Sequence, residues 1–409
     1  MIKNSPFLAL KFRDFRLLWI GLLISRIGSE MQVVAINWQM YLLTGSALAL
    51  GVIGLCRFLP ILILALPGGI ISDKYNRKHV MLFAQISTAF LSLILSVTSF
   101  TGHISPLIIY FVLIGNSIAT AFDTPARQSM APSLVPKEYL VNAVSLNTIM
   151  WQSAIVIGPS IAGFTIAYLG LSSVYLINAF SFIAVIIALV LMNNPKQIIR
   201  EDTSFSLKSL FEGLSFVRRS PLIYSTMLLD FIATFFSSAT VLLPIFAKDI
   251  LKVGPEGLGI LYAAPAVGAV MAGLFASSLG HFKHQGKILL LTVSLYGAAT
   301  LGFGLTTSFA IALFLLFLTG VGDVISTIIR NTIRQLTTPD HLRGRMTSIN
   351  MIFFMGGPQL GEAEAGILAA VVGAPLSVVA GGIGTIIATF AIGILVPKLR
   401  RYMGNELVV

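Results

Sequence analysis

Long apolar runs separated by short polar segments dominate this sequence. About twelve of them reach roughly twenty residues, the length at which a helix crosses the hydrocarbon core of a bilayer. They lie at about 17–43, 47–72, 79–100, 106–127, 143–168, 171–193, 221–247, 257–280, 287–307, 309–334, 346–371 and 375–397. The pattern therefore predicts an all-α membrane protein with twelve transmembrane helices.

The composition supports this prediction. Of the 409 residues, 56% are hydrophobic and 11% are charged, which leaves too little polar surface to cover a soluble globule. The lone cysteine, Cys56, lies within an apolar run and can form no disulfide within the chain. The apolar stretch after the basic N-terminus is too long for a signal-peptide core and no small-residue cleavage site follows it, so we expect the first helix to be retained.

Basic residues are distributed unevenly among the loops. Most loops of one set, such as "LTGSA" and "TGHIS", contain no lysine or arginine, and "AKDILKVGPEG" is the exception. The other set, after predicted helices 2, 4, 6, 8 and 10, contains Lys74, Arg77, Lys78, Lys137, Lys196, Arg200, Arg218, Arg219, Lys283, Arg343 and Arg345. By the positive-inside rule these loops and both termini are predicted to be cytoplasmic, in a bacterial-type inner membrane. This distribution accounts for most of the net charge of +11 without a nucleic-acid partner.

The longest polar stretch, from Asn193 to Pro221, separates six predicted helices from six. Its second half, from Phe205 to Val217, has apolar residues at spacings of three and four, which predicts an amphipathic helix on the inner membrane surface. We therefore divide the chain into an N-terminal six-helix bundle over 1–193, a cytoplasmic linker over 194–220 and a C-terminal six-helix bundle over 221–409.

The two halves also repeat short patterns. The matching elements are Arg127-Gln128 with Arg334-Gln335, the interval from Pro136 to Asn147 with that from Pro339 to Asn350, and Gly158-Pro159 with Gly357-Pro358. Two copies of a six-helix unit are typical of transporters whose halves move about a central site.

The loop "GIISDKYNRK", residues 69–78, resembles the signature between helices 2 and 3 of the major facilitator superfamily, with Asn76 where the family has glycine. Asparagine tolerates the left-handed conformation, so we expect the turn to be kept. Longer stretches such as "WQMYLLTGSALALGVIGLCRFLPILILALPGG" and "PARQSMAPSLVP" resemble the branch that contains the enterobactin exporter and macrolide-efflux proteins. The resemblance implies the major facilitator fold, two pseudo-symmetric six-helix bundles.

The resemblance also implies a set of gating residues. In the family, charges of this loop meet an acidic residue at the inner end of helix 4 and stabilise the outward-open state. The stretch "GPSIAG" is similar to the end of the family's antiporter motif on helix 5, which is associated with export, although an ordinary helix contact is an alternative. The basic residues of the loop could instead be topology signals only. The assigned gating residues are Asp73, Arg77, Lys78, Asp123, Arg127, Gly158 and Pro159.

Ionisable side chains within the spans are costly to bury and are kept where they face a cavity or a partner. Helices 1, 4, 7 and 10 line the central cavity in the superfamily. The residues predicted to face it are Arg26, Glu30, Asn37, Asn116, Asp323 and Arg330, together with Arg57 of helix 2. Alternatives stay open for several of them. Arg26 and Glu30 could pair with each other, and Arg57 could pair with Glu30 or attract an anionic substrate. Arg330 could extend to the inner surface.

Three acids are candidates for proton coupling. A nearby arginine favours the charged form of a carboxylate, so an acid far from cations holds a proton more readily. Asp230 ranks first because it has no cation within two turns of its own helix. Asp323 ranks second because Arg330 is two turns, roughly 10 Å, away along the axis. Glu30 ranks third beside Arg26. Glu362 and Glu364 point to different sides of helix 11, so at most one of them faces the cavity.

Nucleotide-binding loops, dinucleotide-binding glycine motifs and metal-spaced Cys or His clusters are missing from the sequence, and its histidines fall in predicted loops, so we expect no enzyme, metal or cofactor. The favoured function is a proton-coupled secondary transporter that exports a small amphipathic, anionic metabolite such as a siderophore by alternating access. A multidrug or macrolide efflux antiporter is the alternative. A non-coupled lipid-handling or receptor-like membrane protein is the alternative of another class. We expect a monomer whose partners are a small-molecule substrate, protons and the lipid bilayer.

Overall fold

The computed structural model describes residues 7–193, 214–279, 283–339 and 343–404. Within these ranges the chain is helical and contains no strand, which confirms the predicted all-α class. The predicted amphipathic helix of the linker lies largely outside the described residues, and 214–219 is helical.

Twelve long helices follow one another along the described chain and confirm the predicted number. They are α1 (Arg13–Thr44), α2 (Ala47–Lys74), α3 (Arg77–Phe100), α4 (Pro106–Met130), α5 (Leu140–Leu169), α6 (Leu171–Leu191), α7 (Pro221–Phe236), α8 (Gly254–Leu279), α9 (Gln285–Leu305), α10 (Phe309–Thr337), α11 (Arg343–Val372) and α12 (Ala374–Leu395). Short helical turns extend α7 as far as Ile250, and a short helix α13 (Pro397–Arg401) follows α12.

Eleven helices of the described chain are long and apolar enough to cross a membrane. The exception among α1–α12 is α11, which has 30 residues but carries Gln359, Glu362 and Glu364. The length of α11 is sufficient, so its polar residues are the reason that it is not apolar enough to count as a spanning helix. The protein is therefore a multi-pass membrane protein.

The helices form two compact units. Unit 1 consists of Met1–Thr44, Leu59–Ser204 and Gly254–Ala263, and unit 2 consists of Gly45–Phe58, Phe205–Val253 and Ala264–Val409. The start of α2 thus packs within unit 2, and the start of α8 packs within unit 1. The sequence boundaries at 193 and 221 stay predictions.

Unit 1 is built on α1, which packs against α5 and α6, and on α3, which packs against α4 and α6. Buried polar side chains connect these helices. Asn178 Nδ2 donates to Gln32 Oε1 at 2.8 Å, and the Tyr175 hydroxyl donates to Gln39 Oε1 at 2.7 Å. Because lipid gives little hydrophobic driving force for helix association, such hydrogen bonds and close packing determine which helices adjoin.

Unit 2 is built on α9, which packs against α10 and α12, and on α11, which packs against α7 and α12. Small residues allow the closest crossings. A Cβ on Gly382 of α12 would lie 2.6 Å from the Leu301 backbone nitrogen of α9, so this crossing requires glycine. Ser237, just after α7, lies 2.8 Å from Thr385 of α12 between their hydroxyl oxygens.

Candidate transport site

A buried ion cluster joins α7 to α10 in unit 2. Arg330 Nη1 lies 2.9 Å from Asp230 Oδ1, and Arg330 Nη2 lies 3.6 Å from Asp323 Oδ1. The Arg330 and Asp230 side chains are 2% and 4% exposed, whereas the Asp323 side chain is 51% exposed. One guanidinium is thus shared between a buried and an accessible carboxylate.

This cluster corrects the expectation that Asp230 has no nearby cation. No arginine lies within two turns on its own helix, but Arg330 approaches it from α10. The expected separation of Asp323 from Arg330 is also too large. Helical side chains lean toward the N-terminus of their helix, so the long Arg330 side chain reaches back over the two turns to Asp323. Arg330 does not extend to the membrane surface, because its side chain is buried.

The next turn of α10 adds a second buried arginine. Arg334 is 4% exposed, and its Nη2 donates to Asn331 Oδ1 at 2.5 Å. Arg330 Nη2 also donates to Thr327 Oγ1 at 2.7 Å. Among the described residues, Arg330 Nε and Arg334 Nη1 have no hydrogen-bond partner. The C-terminal half of α10 therefore places two buried arginines close to the buried acid Asp230.

Unit 1 has charged residues of its own around Trp151 of α5. Arg26 Nη2 lies 2.6 Å from Glu30 Oε1 one turn further along α1, which favours the intrahelical alternative for this pair. The Arg26 guanidinium carbon lies 3.8 Å from the centroid of the Trp151 ring, and that of Arg127 lies 5.8 Å from it. Such distances allow cation–π attraction.

Arg127 belongs to a second pair in the same unit. Its Nε donates to Asp123 Oδ2 at 3.1 Å, and Gln85 Nε2 of α3 donates to Asp123 Oδ1 at 3.0 Å. Asp123 is thus held from both sides at the end of α4. The sequence placed Asp123 and Arg127 together, and the structure brings them together.

Arg57 of α2 pairs with Glu362 of α11 within unit 2. Arg57 Nη1 lies 3.6 Å from Glu362 Oε2, and the side chains are 18% and 14% exposed. The structure therefore gives Arg57 an acid other than Glu30. Glu364 is half-buried and has no ion pair within the described part of the chain.

The two predicted cavity asparagines differ in their partners. Asn37 Nδ2 donates to the Tyr262 hydroxyl at 2.7 Å, and Asn37 is 2% exposed. Within the described ranges, Asn116 Oδ1 is buried without a hydrogen-bond partner. Sequence reasoning missed Tyr262, because this residue carries no charge that marks it within an apolar run.

The loop between α2 and α3 differs from expectation at Asn76. This residue has φ −62° and ψ 114°, so it is not left-handed, and its side chain accepts a hydrogen bond from the Lys78 backbone nitrogen. Asn76 therefore caps the N-terminus of α3, a position that favours asparagine and also admits glycine. Lys78 Nζ donates to the Met192 carbonyl at 2.8 Å, and Arg77 Nη1 donates to the Ser129 carbonyl at 3.4 Å. The Asp73 side chain lies outside the described structure.

Gly158 and Pro159 lie at close helix crossings of α5. A Cβ on Gly158 would lie 2.5 Å from Glu30 Cβ and 2.9 Å from the Ile27 carbonyl oxygen. A Cβ on Gly259, at the start of α8, would lie 2.5 Å from the Pro159 carbonyl oxygen. Both residues of the pair therefore serve close packing within unit 1.

Twelve long helices of the described chain in two compact units, with motifs repeated between the halves, are the features of a membrane transporter of the major facilitator type. The chain belongs to the family described as transmembrane secretion effectors, whose model matches residues 4–405. This membership confirms the predicted superfamily and shows a membrane transporter rather than an enzyme. In the described part of the chain, no group of three or more His, Cys, Asp or Glu side chains is arranged to hold a metal ion.

Known proteins resemble the chain over nearly its full length. The enterobactin exporter EntS of Escherichia coli O1:K1 / APEC is 28% identical over 394 residues, which cover 95% of this chain and 93% of the relative. The enterobactin exporter EntS of Shigella boydii serotype 18 is likewise 28% identical, with the same coverage. A crystal structure of a bacterial homologue of the human lysosomal transporter Spinster superposes with a TM-score of 0.74 at 15% identity, covering 95% of this chain and 98% of that chain. This last similarity shows the fold alone.

Proposed function

We propose that the protein is a proton-coupled secondary transporter that exports a small amphipathic, anionic metabolite such as a siderophore by alternating access. The observation that carries the coupling is the guanidinium of Arg330, shared between Asp230 at 2.9 Å and Asp323 at 3.6 Å. The cluster can change its charge and its geometry when one proton is added. No cofactor takes part, because the proton gradient supplies the driving force.

The proton acts on the link between α7 and α10. Asp323 is 51% exposed and can exchange a proton with water. When Asp323 is protonated it attracts Arg330 less, so the guanidinium is held by Asp230 alone and α7 is tied more firmly to α10. When Asp323 loses the proton, the two carboxylates compete for Arg330 and the link weakens. Asp323 is thus the site of proton exchange, Asp230 the buried partner, and Glu30 a residue of the substrate region.

The substrate class is supported by the relatives and by unit 1. The relatives are exporters of enterobactin by name. In unit 1 the Arg26 side chain is 33% exposed and lies over Trp151. A partly exposed guanidinium on an aromatic ring suits a substrate that has both negative charge and apolar surface.

Alternating access is assigned to the loop between α2 and α3 together with the end of α4. Asp73 and Arg77 would join the Asp123–Arg127 pair to stabilise the outward-open state, and Lys78 would hold the start of α3. The basic loops support an orientation with both termini in the cytoplasm, in a bacterial-type inner membrane. The transporter acts as a monomer.

Transport in proteoliposomes tests the proposal. The purified full-length protein is reconstituted, the lumen is made acidic relative to the outside, and uptake of enterobactin is compared with uptake of a macrolide antibiotic. We expect the gradient to drive enterobactin into the lumen against its concentration difference, and a protonophore to abolish that accumulation.

Other outcomes would overturn parts of the proposal. Preferential accumulation of the macrolide would point to a drug efflux antiporter. Binding of enterobactin without accumulation under any gradient would point to a receptor-like or lipid-handling protein. Equal enterobactin accumulation with and without the proton gradient would contradict coupling.

A further inference from the structure

A groove lies between α9 and α12 on the surface of unit 2. Its volume is about 260 Å³. Its apolar walls include Leu291, Phe390 and Ile394, which are 70%, 71% and 54% exposed. Ser294 of α9 lies along the groove, and Arg400 of α13 completes its lining. The groove is therefore open and apolar, with one cationic side chain in its lining.

Arg400 is held in a fixed place beside α9. Its neighbours in sequence, Leu399 and Tyr402, are 0% and 1% exposed and anchor the short helix in the core of unit 2. The Gly286 backbone nitrogen at the start of α9 donates to the Tyr402 carbonyl at 3.0 Å. Arg400 itself is exposed, so the anchoring presents its guanidinium outward at the groove.

Arg400 lacks the carboxylate partner that four arginines of the spans possess. Arg26, Arg57, Arg127 and Arg330 each lie within 3.6 Å of a carboxylate oxygen. By contrast α9, α12 and α13 contain no Asp or Glu, and Arg400 makes no ion pair with any described residue. Nearby Lys398 adds a further positive charge. This end of the groove thus favours an anion.

The position of the groove along the membrane normal also suits a lipid. The 22 residues of α12 extend for roughly 33 Å, about the thickness of the hydrocarbon core. Arg400 follows the end of α12 by five residues, so it lies at the level of the headgroups. Basic sites at this level between membrane helices suit anionic lipid headgroups, while apolar channels below them suit acyl chains.

We propose that this groove binds one anionic phospholipid, with its phosphate at Arg400 and an acyl chain between α9 and α12. The site is independent of the transport function proposed above. It ties α9, α12 and α13 together at the edge of unit 2.

Native mass spectrometry of the purified full-length protein tests this site, with phosphatidylglycerol as the probe and phosphatidylcholine as the zwitterionic comparison. We expect a retained phosphatidylglycerol on the wild-type protein and little retained phosphatidylcholine. Arg400→Gln should weaken phosphatidylglycerol binding about fivefold, the ratio expected for one basic residue near an anionic headgroup. The matched control is Arg401→Gln, which removes the same charge from the same short helix without altering the groove lining, and it should stay near wild type.

The apolar part of the site is tested by filling the groove. Ser294→Phe should lower phosphatidylglycerol retention, whereas Ser277→Phe, at an exposed position of α8, should not. Glycerol phosphate, which has no acyl chains, should not displace the bound lipid. All variants are compared only as monodisperse protein on size exclusion. Equal losses for Arg400→Gln and Arg401→Gln, unchanged retention in Ser294→Phe, or displacement by glycerol phosphate would each overturn the proposal.

Discussion

Equivalent positions of the two units carry opposite charges. Gly158 of α5 packs against Ile27 and Glu30, and its repeat Gly357 of α11 packs against Phe231 and Thr234. These contacts align Ile27 with Phe231 and Glu30 with Thr234. Arg26 of α1 and Asp230 of α7, each one residue earlier, therefore occupy equivalent positions. The repeat also aligns Arg127-Gln128 with Arg334-Gln335. Four residues before each arginine, Asp123 of α4 therefore corresponds to Arg330 of α10. Each unit therefore places one acid and one arginine at the same two positions, with the signs exchanged.

The two units also differ in where each of these charged residues finds its ion-pair partner. In unit 2 the two positions pair directly across helices at 2.9 Å. In unit 1 each pairs within its own helix, Arg26 with Glu30 at 2.6 Å and Asp123 with Arg127 at 3.1 Å. Thr234, which replaces Glu30 in the repeat, offers no charge to Asp230. The difference shows that unit 2 uses this site to join two helices, while in unit 1 the arginine is partly exposed and lies beside Trp151.

The largest expected effect is on the interhelical pair. Asp230→Asn leaves the Arg330 charge buried without its closest partner, so the free energy of unfolding should fall by about 3–5 kcal/mol. Thermal or denaturant unfolding of the purified protein in detergent measures this change. Arg26→Gln, at the equivalent position of unit 1, should cost much less because Glu30 is partly accessible to solvent.

The double variant Asp230→Asn/Arg330→Gln sharpens the result. Since it removes the uncompensated charge, it should recover part of the lost stability. Glu364→Gln is the matched control, a half-buried acid of unit 2 without an ion pair among the described residues. If Arg26→Gln destabilised the protein as much as Asp230→Asn, the proposed difference between the units would not hold.

The fold and the intrahelical pairs could be predicted from the sequence, whereas the interhelical contacts could not. Apolar runs of spanning length give the helices directly, because the bilayer sets their length. Arg26 with Glu30 and Asp123 with Arg127 are visible because residues four apart share a helix face. The partners of Asp230 and Arg57 depend on which helices adjoin, and that is set by small residues such as Gly357 and Gly51 rather than by the charges themselves.

The second prediction concerns transport rather than stability. Asp323→Asn should abolish accumulation driven by the pH gradient while counterflow of substrate continues, because the exchangeable proton is lost and the Asp230–Arg330 pair remains. With a side chain that is 51% exposed, its removal should change the free energy of unfolding by less than about 1 kcal/mol. Uptake in proteoliposomes with and without a gradient measures the effect. Retained coupling in Asp323→Asn together with its loss in Glu30→Gln would move the coupling site to unit 1.

The third prediction tests the aromatic feature of unit 1. Trp151→Phe keeps an aromatic ring but weakens the cation–π attraction of Arg26, so the coupling energy between the two residues should be about 0.5–1 kcal/mol. A double-mutant cycle of Trp151→Phe and Arg26→Gln, measured by unfolding, isolates this value from the change in packing. A coupling energy near zero would mean that the ring only fills space beside Arg26.

The smallest effect is expected for the pair between α2 and α11. Arg57 Nη1 and Glu362 Oε2 are 3.6 Å apart, too far for a hydrogen bond, so this pair should hold its helices less firmly than Asp230 and Arg330 do. In a double-mutant cycle of Arg57→Gln and Glu362→Gln, the coupling energy should be smaller than that of the Asp230–Arg330 pair, because the two charges are farther apart. A coupling energy as large as that of the Asp230–Arg330 cycle would show that distance does not rank the ion pairs of unit 2.

Because a weakly held guanidinium stays available to a ligand, Arg57→Gln should also reduce affinity for an anionic substrate more than for a neutral one. Equal losses for both substrates would assign Arg57 to packing alone.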